Sequence, residues 1–560
     1  MAILIANLGV SDLSIKVGEH FFPIDVRDEP NVPNIPKWNE RSKQVKDFLE
    51  KELRIKLDQK EYFRALTKRL NEAFIEDPPR WEELVRSSRI EGVINKALAF
   101  QELKIDKVHV FVTDQATEEN PNYHGNDTVY LFDTLKRWFA RNYPSLSFEK
   151  YPLRDLNPTN LDALFDFYRN YFEGLPGDED EIVLVSIKGG TPQMQNALRI
   201  QSLASGLRRL LFLEPEFSAE KVMAGEPSDC KITSYWRFVR NQKHLTINQL
   251  LSRWDFGGAN EIWNEWNKDL DWITKYVSDA PSQQRQTIAE VLKCARLLLC
   301  LDSKKALQTI QNNETLRSCP GLESIAANKY DALKDLYAQA KMKFDTQEVA
   351  DSLWRMSTFC ELLLKELAIS CTNRLFSETI VVEDKGWLYL LVSKAKPEMV
   401  DLFSKMFRIN LPVERYKLKD RDMHNLIDVL INHGNGNEDV LVRVKSGWTI
   451  IKKHLAYLDN WDKKRNELVH AGRGYAIEPS EEKKILQSMA DLYVLAAGIA
   501  VLNPEVMFDP MEYYVYSSIR DWVREQLNQN GQHYRHEAGS LSLGAPGRYG
   551  QLTVPCSSNR

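Results

Sequence analysis

The chain has 560 residues, of which 43% are hydrophobic and 27% charged, and its formal net charge is −5. It is too long for one ordinary domain, long enough for three, and neither disordered nor fibrous in composition. The charge balance excludes a globally basic protein, although 74 Lys and Arg leave room for a local cationic surface.

The first 215 residues alternate strand and helix patterns. Ala2 to Ala6 is a short apolar run of the kind buried on both faces of a sheet. Leu13, Ile15 and Val17 then alternate with polar residues, and Phe22 to Val26 suits a hairpin partner. Helical spacing runs from about Trp38 to Phe100. Val108 to Val112, Ser147 to Tyr151, Ile182 to Ile187 and Leu210 to Leu213 read as strands. Helices over Asp127–Asn142, Asn160–Phe172 and Gln193–Leu207 separate them. Strand, helix and strand at this spacing predict a parallel, Rossmann-like α/β sheet.

One more strand is expected at Lys231 to Phe238, and then almost everything is helical. Helical patterns cover Thr246–Trp254, Asn260–Val277, Ser282–Leu301, Asp331–Lys341, Val349–Ser370, His424–Asn432, Val440–Leu458 and Glu481–Val501. The expected organisation is an α/β domain over residues 1–240, a helical linker region over 241–345, an all-α domain over 346–530 and a flexible tail over 531–560.

In an open parallel sheet, ligands bind beyond the carboxyl ends of the strands. The segments that come after three of the strands are therefore informative. They are Asn7-Leu8-Gly9-Val10-Ser11-Asp12, Thr113-Asp114-Gln115 and Lys188-Gly189-Gly190-Thr191-Pro192-Gln193. In the third, two glycines permit a tight turn, Thr191 suits an N-cap and Pro192 the first helical position. A helix that starts there points free N–H groups and a positive dipole end at the loop, which favours a phosphate, and Lys188 adds a cation. Thr113, Asp114, Gln115 and Gln193 carry groups suited to a base or a ribose. No GxxxxGK[ST] or GxGxxG motif is present. An ordinary capped strand-to-helix turn uses the same residues.

The strongest chemical signal lies in Trp461-Asp462-Lys463-Lys464-Arg465-Asn466-Glu467-Leu468-Val469-His470, with glycines next at 472 and 474. Positions five apart on one helix point about 140° from each other. Arg465 and His470 therefore converge only if His470 lies at a frayed helix end or if two subunits meet along the segment. The glycines place a helix end just after His470. A helix C-terminus favours the protonated imidazole, suiting it to general acid or base work near neutral pH. Arg465 would hold a phosphate and stabilise charge on a phosphorane, with Asn466 orienting either group. This chemistry asks for no metal if the substrate supplies its own nucleophile, as RNA does with its 2′-hydroxyl. A surface arginine near a hydrogen-bonded histidine is the alternative.

Taken together, the chain resembles the CRISPR-associated CARF–HEPN ribonucleases of type III systems. Arg465-Asn466-x-x-x-His470 is similar to the HEPN motif. Ile187 to Pro192 is similar to the CARF signature after a core strand. Gly9 to Asp12 and Thr113 to Gln115 fall where the other ligand loops of that family lie. The resemblance covers roughly residues 1–215 and 350–505, and the stretch from about 240 to 345 departs from the compact linkers of the family.

The resemblance implies a homodimer. Its CARF pair would bind a cyclic oligoadenylate, tetra- or hexa-adenylate, through Asn7, Gly9, Ser11, Thr113, Gln115, Lys188, Gly189, Gly190, Thr191 and Gln193. The ligand would act as allosteric activator and no cofactor would be required. The HEPN pair would cleave single-stranded RNA at a composite site of Arg465, Asn466 and His470, leaving a 2′,3′-cyclic phosphate. Two other classes of function fit the same residues. One is a nucleotide-sensing regulator that does not cleave, and the other is a toxin-type HEPN ribonuclease.

The remaining features are blander. Trp236, Trp254, Trp263, Trp266 and Trp272 read as core of the helical middle. His424 and His433 with Asp422 and Asp428 match no metal-ligand spacing. The seven cysteines, Cys230, Cys294, Cys300, Cys319, Cys360, Cys371 and Cys556, form no CxxC pair, so neither a disulfide framework nor a zinc ribbon is indicated. The apolar start lacks a basic flank, and no run approaches the roughly 18 apolar residues of a membrane helix. The expectation is a soluble cytoplasmic protein without membrane contact.

Overall fold

A computed structural model describes residues 2–24, 38–56, 62–100, 103, 105–115, 124–175, 181–277, 285–327, 329–376, 379–384, 387–408, 413–419, 422–435, 438–471, 477–501 and 513–537. The chain divides into two units, Met1–Lys243 with Glu265–Ser282, and His244–Asn264 with Gln283–Arg560. The region expected as a linker, 241–345, thus contributes to both.

The first unit is built on strands β1 (Ala2–Asn7), β5 (Ile105–Asp114), β6 (Ser147–Arg154), β7 (Ile182–Ser186), β8 (Arg209–Pro215) and β9 (Cys230–Thr233), in the order β6-β5-β1-β7-β8-β9. All pairs are parallel except β8 with β9. Side chains alternate across a strand, and here both faces are covered. Leu4 and Ala6 join the core on one side with Val108, Val110 and Leu135. Ile3 and Ile5 join the other with Phe111, Val183 and Tyr168. Double burial explains why β1 is a continuous apolar run.

Among the helices of this unit that lie between its parallel strands in sequence are α1 (Ser88–Leu98), α2 (Val129–Asn142), α3 (Leu161–Glu173) and α4 (Pro192–Ala204). A small antiparallel sheet of β2 (Ser14–Val17), β3 (His20–Pro23) and β4 (Val85–Arg86) lies ahead of α1 in sequence. The hairpin expected at Phe22–Val26 is present as β3, which begins two residues earlier; residues 25 and 26 lie outside the described residues. The strand expected over Lys231–Phe238 stops at Thr233, and a helix starts at Trp236.

The second unit is helical, centred on α5 (Ala332–Asp345), α6 (Val349–Leu375), α7 (Met423–His433), α8 (Glu438–Ala471), α9 (Pro479–Val501) and α10 (Tyr516–Glu537). Phe359, Leu363, Leu367, Leu426, Leu430, Trp448, Ile451, Leu455 and Met489 belong to its core. The all-α reading of 346–530 needs one correction. Strands β10 (Val381–Asp384), β11 (Trp387–Leu391) and β12 (Arg415–Lys417) form an antiparallel sheet inside it. Each strand is five residues or fewer, too short to stand out against flanking helical patterns. Of the expected tail, 531–537 continue α10, and 538–560 lie outside the described residues. Among the described residues, no helix is long and apolar enough to cross a membrane.

Candidate functional site

The order β5-β1-β7 makes β1 the strand from which the sheet grows in both directions. The loops that leave β1, β5 and β7 therefore meet at one end of the sheet, at the topological switch point. A cavity of about 820 Å³ opens there. Its volume falls in the upper part of the range of small-molecule sites.

Of the ten residues expected to bind a ligand, Gly9, Ser11, Thr113, Gln115, Lys188, Gly189, Gly190 and Thr191 line this cavity. Asn7 and Gln193 do not. Asn7 is fully buried at the end of β1, where its Oδ1 accepts from the Tyr168 hydroxyl at 2.8 Å and its carbonyl accepts from Arg89 at 2.7 Å. It holds the loop rather than facing the cavity. Gln195, two residues beyond Gln193, is the glutamine that lines it. One turn of helix explains the exchange: Gln193 sits in the first turn of α4, and residues there differ by about 100° in direction per position.

The glycine loop has the geometry its sequence requires. Gly189 and Gly190 take φ of +101° and +70°, a region open to glycine at little cost. A Cβ at 189 would overlap the Asn7 carbonyl and the Arg89 guanidinium. Thr191 caps α4, its hydroxyl accepting from the Met194 N–H at 3.2 Å and donating to the Pro158 carbonyl. The β1 and β7 loops also touch, since a Cβ at Gly9 would come within 2.9 Å of the Gly190 nitrogen.

Arg89, at the start of α1, is the residue that sequence reasoning missed. It pairs with Asp12 through two guanidinium nitrogens and donates to the Lys188 carbonyl, besides its bond to Asn7. Asp12 in turn accepts from the Gly9 N–H at 2.6 Å. One guanidinium thus fastens the β1 loop to the β7 loop. No local motif announces it, because its partners lie 77 to 99 residues away. Lys188 itself donates from Nζ to the Pro215 carbonyl at 2.7 Å, which draws the β8 loop, with Glu216 and Phe217, to the cavity wall.

The third loop is held by α2. The Thr113 N–H donates to the Thr128 hydroxyl at 3.1 Å, and the Thr128 N–H returns a bond to the Thr113 hydroxyl at 3.0 Å. The Gln115 N–H donates to Asp127 at 2.6 Å, and Arg64 binds the same carboxylate. Burial pushes the Asp127 carboxyl up, against the Gln115 N–H and Arg64, which hold it down. Gln115 is 1% exposed, and its side-chain Nε2 has no hydrogen-bond partner among the described residues. A buried amide donor left open costs about 1–3 kcal/mol, which an acceptor on a ligand in the cavity would recover.

The second candidate segment lies on α8. This helix is continuous from Glu438 to Ala471, so Arg465 and His470 occupy one helix, with His470 in its last turn. Their positions are about 140° apart around its axis. Asn466 and His470, four apart, share a face. Arg465 donates to Asn466 Oδ1 at 2.8 Å and lies 3.3 Å from Asp462. Lys464 sits 3.8 Å over the Trp461 ring. The glycines at 472 and 474 lie outside the described residues. Arg465 and Asn466 are therefore brought together by a hydrogen bond, and His470 occupies the same helix end at a position near Asn466 but about 140° around the axis from Arg465.

A Rossmann-like sheet with a cavity at its switch point, in one chain with a helical unit, defines the class. No protein-family model matches the sequence, and no curated protein was found similar to it. Among solved structures, the chain is similar to Enterococcus italicus Csm6 bound to cyclic hexa-2′-fluoro-hexa-dAMP, with a TM-score of 0.50 and 14% identity over 79% of this chain and 96% of that one. The shared property is the fold, a Rossmann-like sheet in one chain with a helical region, as the sequence led one to expect.

Proposed function

We propose that this chain is a cyclic oligoadenylate-activated CARF–HEPN endoribonuclease that cleaves single-stranded RNA in CRISPR antiviral defence. The observation that carries the reading is the cavity built from the loops after β1, β5 and β7. It occurs in a chain with the fold of a protein solved with a cyclic hexa-adenylate analogue. A ring phosphate suits the N-terminus of α4, where Gly189, Gly190 and Thr191 offer backbone N–H groups and a positive dipole end. The open Nε2 of Gln115 supplies a donor for an adenine ring nitrogen, and Phe217 an aromatic face.

In this reading the protein works as a homodimer. A two-fold pair of such cavities matches a ring of repeated adenylates. The dimer also answers the geometry of α8. Arg465, Asn466 and His470 from both subunits would form one composite site, in which the arginine of one helix meets the histidine of the other where a single helix holds them about 140° apart. The arginine would bind the scissile phosphate, and the histidine would move the proton between the 2′-hydroxyl and the leaving 5′-oxygen. Breakage gives a 2′,3′-cyclic phosphate and a 5′-hydroxyl. Because RNA carries its own nucleophile, the step needs no metal.

The test is cleavage of a fluorescent single-stranded RNA in EDTA, across a panel of cyclic oligoadenylates. One ring size should activate cleavage by at least tenfold, and Arg465→Ala and His470→Ala should each reduce it at least a hundredfold. Ring binding without cleavage would point to a regulator. Strong cleavage unaffected by any ring or by Lys188→Ala would point to a toxin-type enzyme. Cleavage that survives His470→Ala would refute the site.

A further inference from the structure

The sheet inside the helical unit has two unlike faces. By register, Val381, Leu388 and Leu390 point one way and are buried. Val382, Asp384, Trp387, Tyr389, Arg415 and Lys417 point the other way. Trp387 is 49% exposed, Tyr389 half-buried, and Arg415 and Lys417 exposed. Each ring carries a cation. Arg415 lies 3.6 Å over Tyr389 and Lys417 3.1 Å over Trp387. Asp384 binds Arg415 at 2.7 Å, whereas Lys417 makes no ion pair among the described residues.

Exposed Trp387 and half-buried Tyr389, two residues apart on one strand face, are about 7 Å apart along the strand. Each ring is covered by a cation, Arg415 or Lys417, that is itself exposed to solvent. The balance of charge here is also opposite in sign to that of the chain. From Val381 to Lys417, the span of the sheet, there are seven Lys or Arg against five Asp or Glu, in a protein of net charge −5. Flat aromatic faces interleaved with cations match the two repeating features of a single strand, unstacked bases and phosphates. A duplex offers the second feature without the first.

We propose that the outer face of this sheet is a docking platform for single-stranded RNA. Two successive bases stack on Trp387 and Tyr389, while Arg415 and Lys417 swing from the rings to the flanking phosphates. The chemistry of the face calls for a single-stranded nucleic acid. The choice of RNA rests on the proposed nuclease activity.

The test uses the full-length chain and a labelled 2′-O-methyl oligouridine 20-mer, which has no free 2′-hydroxyl and stays intact. Its dissociation constant is read by fluorescence anisotropy at several salt concentrations. Each stacked ring is worth roughly tenfold in affinity, so Trp387→Ala with Tyr389→Ala should weaken binding about a hundredfold. Trp387→Phe with Tyr389→Phe should restore most of it. Arg415→Ala with Lys417→Ala should lower the log–log salt slope by about 1.4.

Unchanged affinity in the folded alanine variant, shown by circular dichroism, overturns the proposal. So does equal loss for duplex RNA, or a change only in self-association by sedimentation, which would mark a protein interface. Cleavage assays separate this idea from the nuclease reading. RNA cleavage with unaltered KM in the alanine variant sinks the platform and leaves the nuclease. Binding lost in that variant, in a chain that cleaves nothing, does the reverse.

Discussion

At the scale of single residues, Gly189 shows how little the cavity tolerates. Its positive φ and its approach to the Asn7 carbonyl act together. Gly189→Ala should destabilise the first unit by about 2–3 kcal/mol and abolish ring binding. Gly206 has φ of +77° with open space where a Cβ would go. Its alanine variant should cost about 1–2 kcal/mol from the backbone alone and leave binding intact. Urea midpoints and ligand titrations distinguish the two. The cysteines offer a second check. Burial pushes the thiols of Cys294, Cys360 and Cys371 up to about 12, whereas Cys300 is exposed. Iodoacetamide at pH 8 should label Cys300 in the native protein and spare those three until it unfolds. Labelling of Cys360 at the rate of Cys300 would contradict the packing around α8.

Among the elements, α10 is held by a buried polar cluster. Asp335 is fully buried and accepts from the hydroxyls of Tyr330 and Tyr516, each at 2.6 Å. Gln339 donates to Tyr516 at 3.2 Å and accepts from Arg355 at 2.9 Å. Burial raises the Asp335 carboxyl, opposed by the two tyrosines, Gln339 and Arg355. A carboxyl raised in the folded state binds its proton more tightly there than in the unfolded chain. Its contribution is therefore complete below the unfolded carboxylate range and is lost as pH rises through the folded value. Asp335→Asn should flatten that slope, measured as the pH dependence of the urea midpoint between pH 4 and 8. Tyr516→Phe removes one donor and should cost about 1–3 kcal/mol. A slope identical in wild type and Asp335→Asn would show that the carboxyl is not raised.

Legibility in the sequence tracks burial and locality. The central strands stood out because a strand covered on both faces is apolar throughout, as Leu4, Ile5, Val183 and Val185 are. The glycine loop stood out because its conformation restricts residue type. Arg89 was silent because its partners are brought to it by the fold, and an arginine in a helix is otherwise ordinary. Asn7 and Gln193 were placed in the cavity by proximity in sequence, whereas the direction of each side chain is set by the end of β1 and the first turn of α4. The β10–β12 sheet hid because three short strands, broken by a helix, leave no sustained alternation.

For the whole molecule, two units with separate cores should not unfold as one. Urea titration is expected to show two transitions. If a cyclic oligoadenylate binds the first unit, the ring at a hundredfold its dissociation constant should stabilise that transition by about 2.7 kcal/mol. A single transition that moves as a whole would show instead that the units fold as one.

The length of α8 has its own mechanical consequence. Thirty-four residues of uninterrupted helix make a rod about 50 Å long, with Arg465, Asn466 and His470 at its far end. A stiff rod converts angle into displacement. A tilt of about 5° around its Glu438 end carries the last turn by about 4 Å, more than the span of a hydrogen bond. Such a swing would also shift buried Trp461, near the tip, by about 3 Å, so movement of the Arg465 end is coupled to repacking of the core along the shaft.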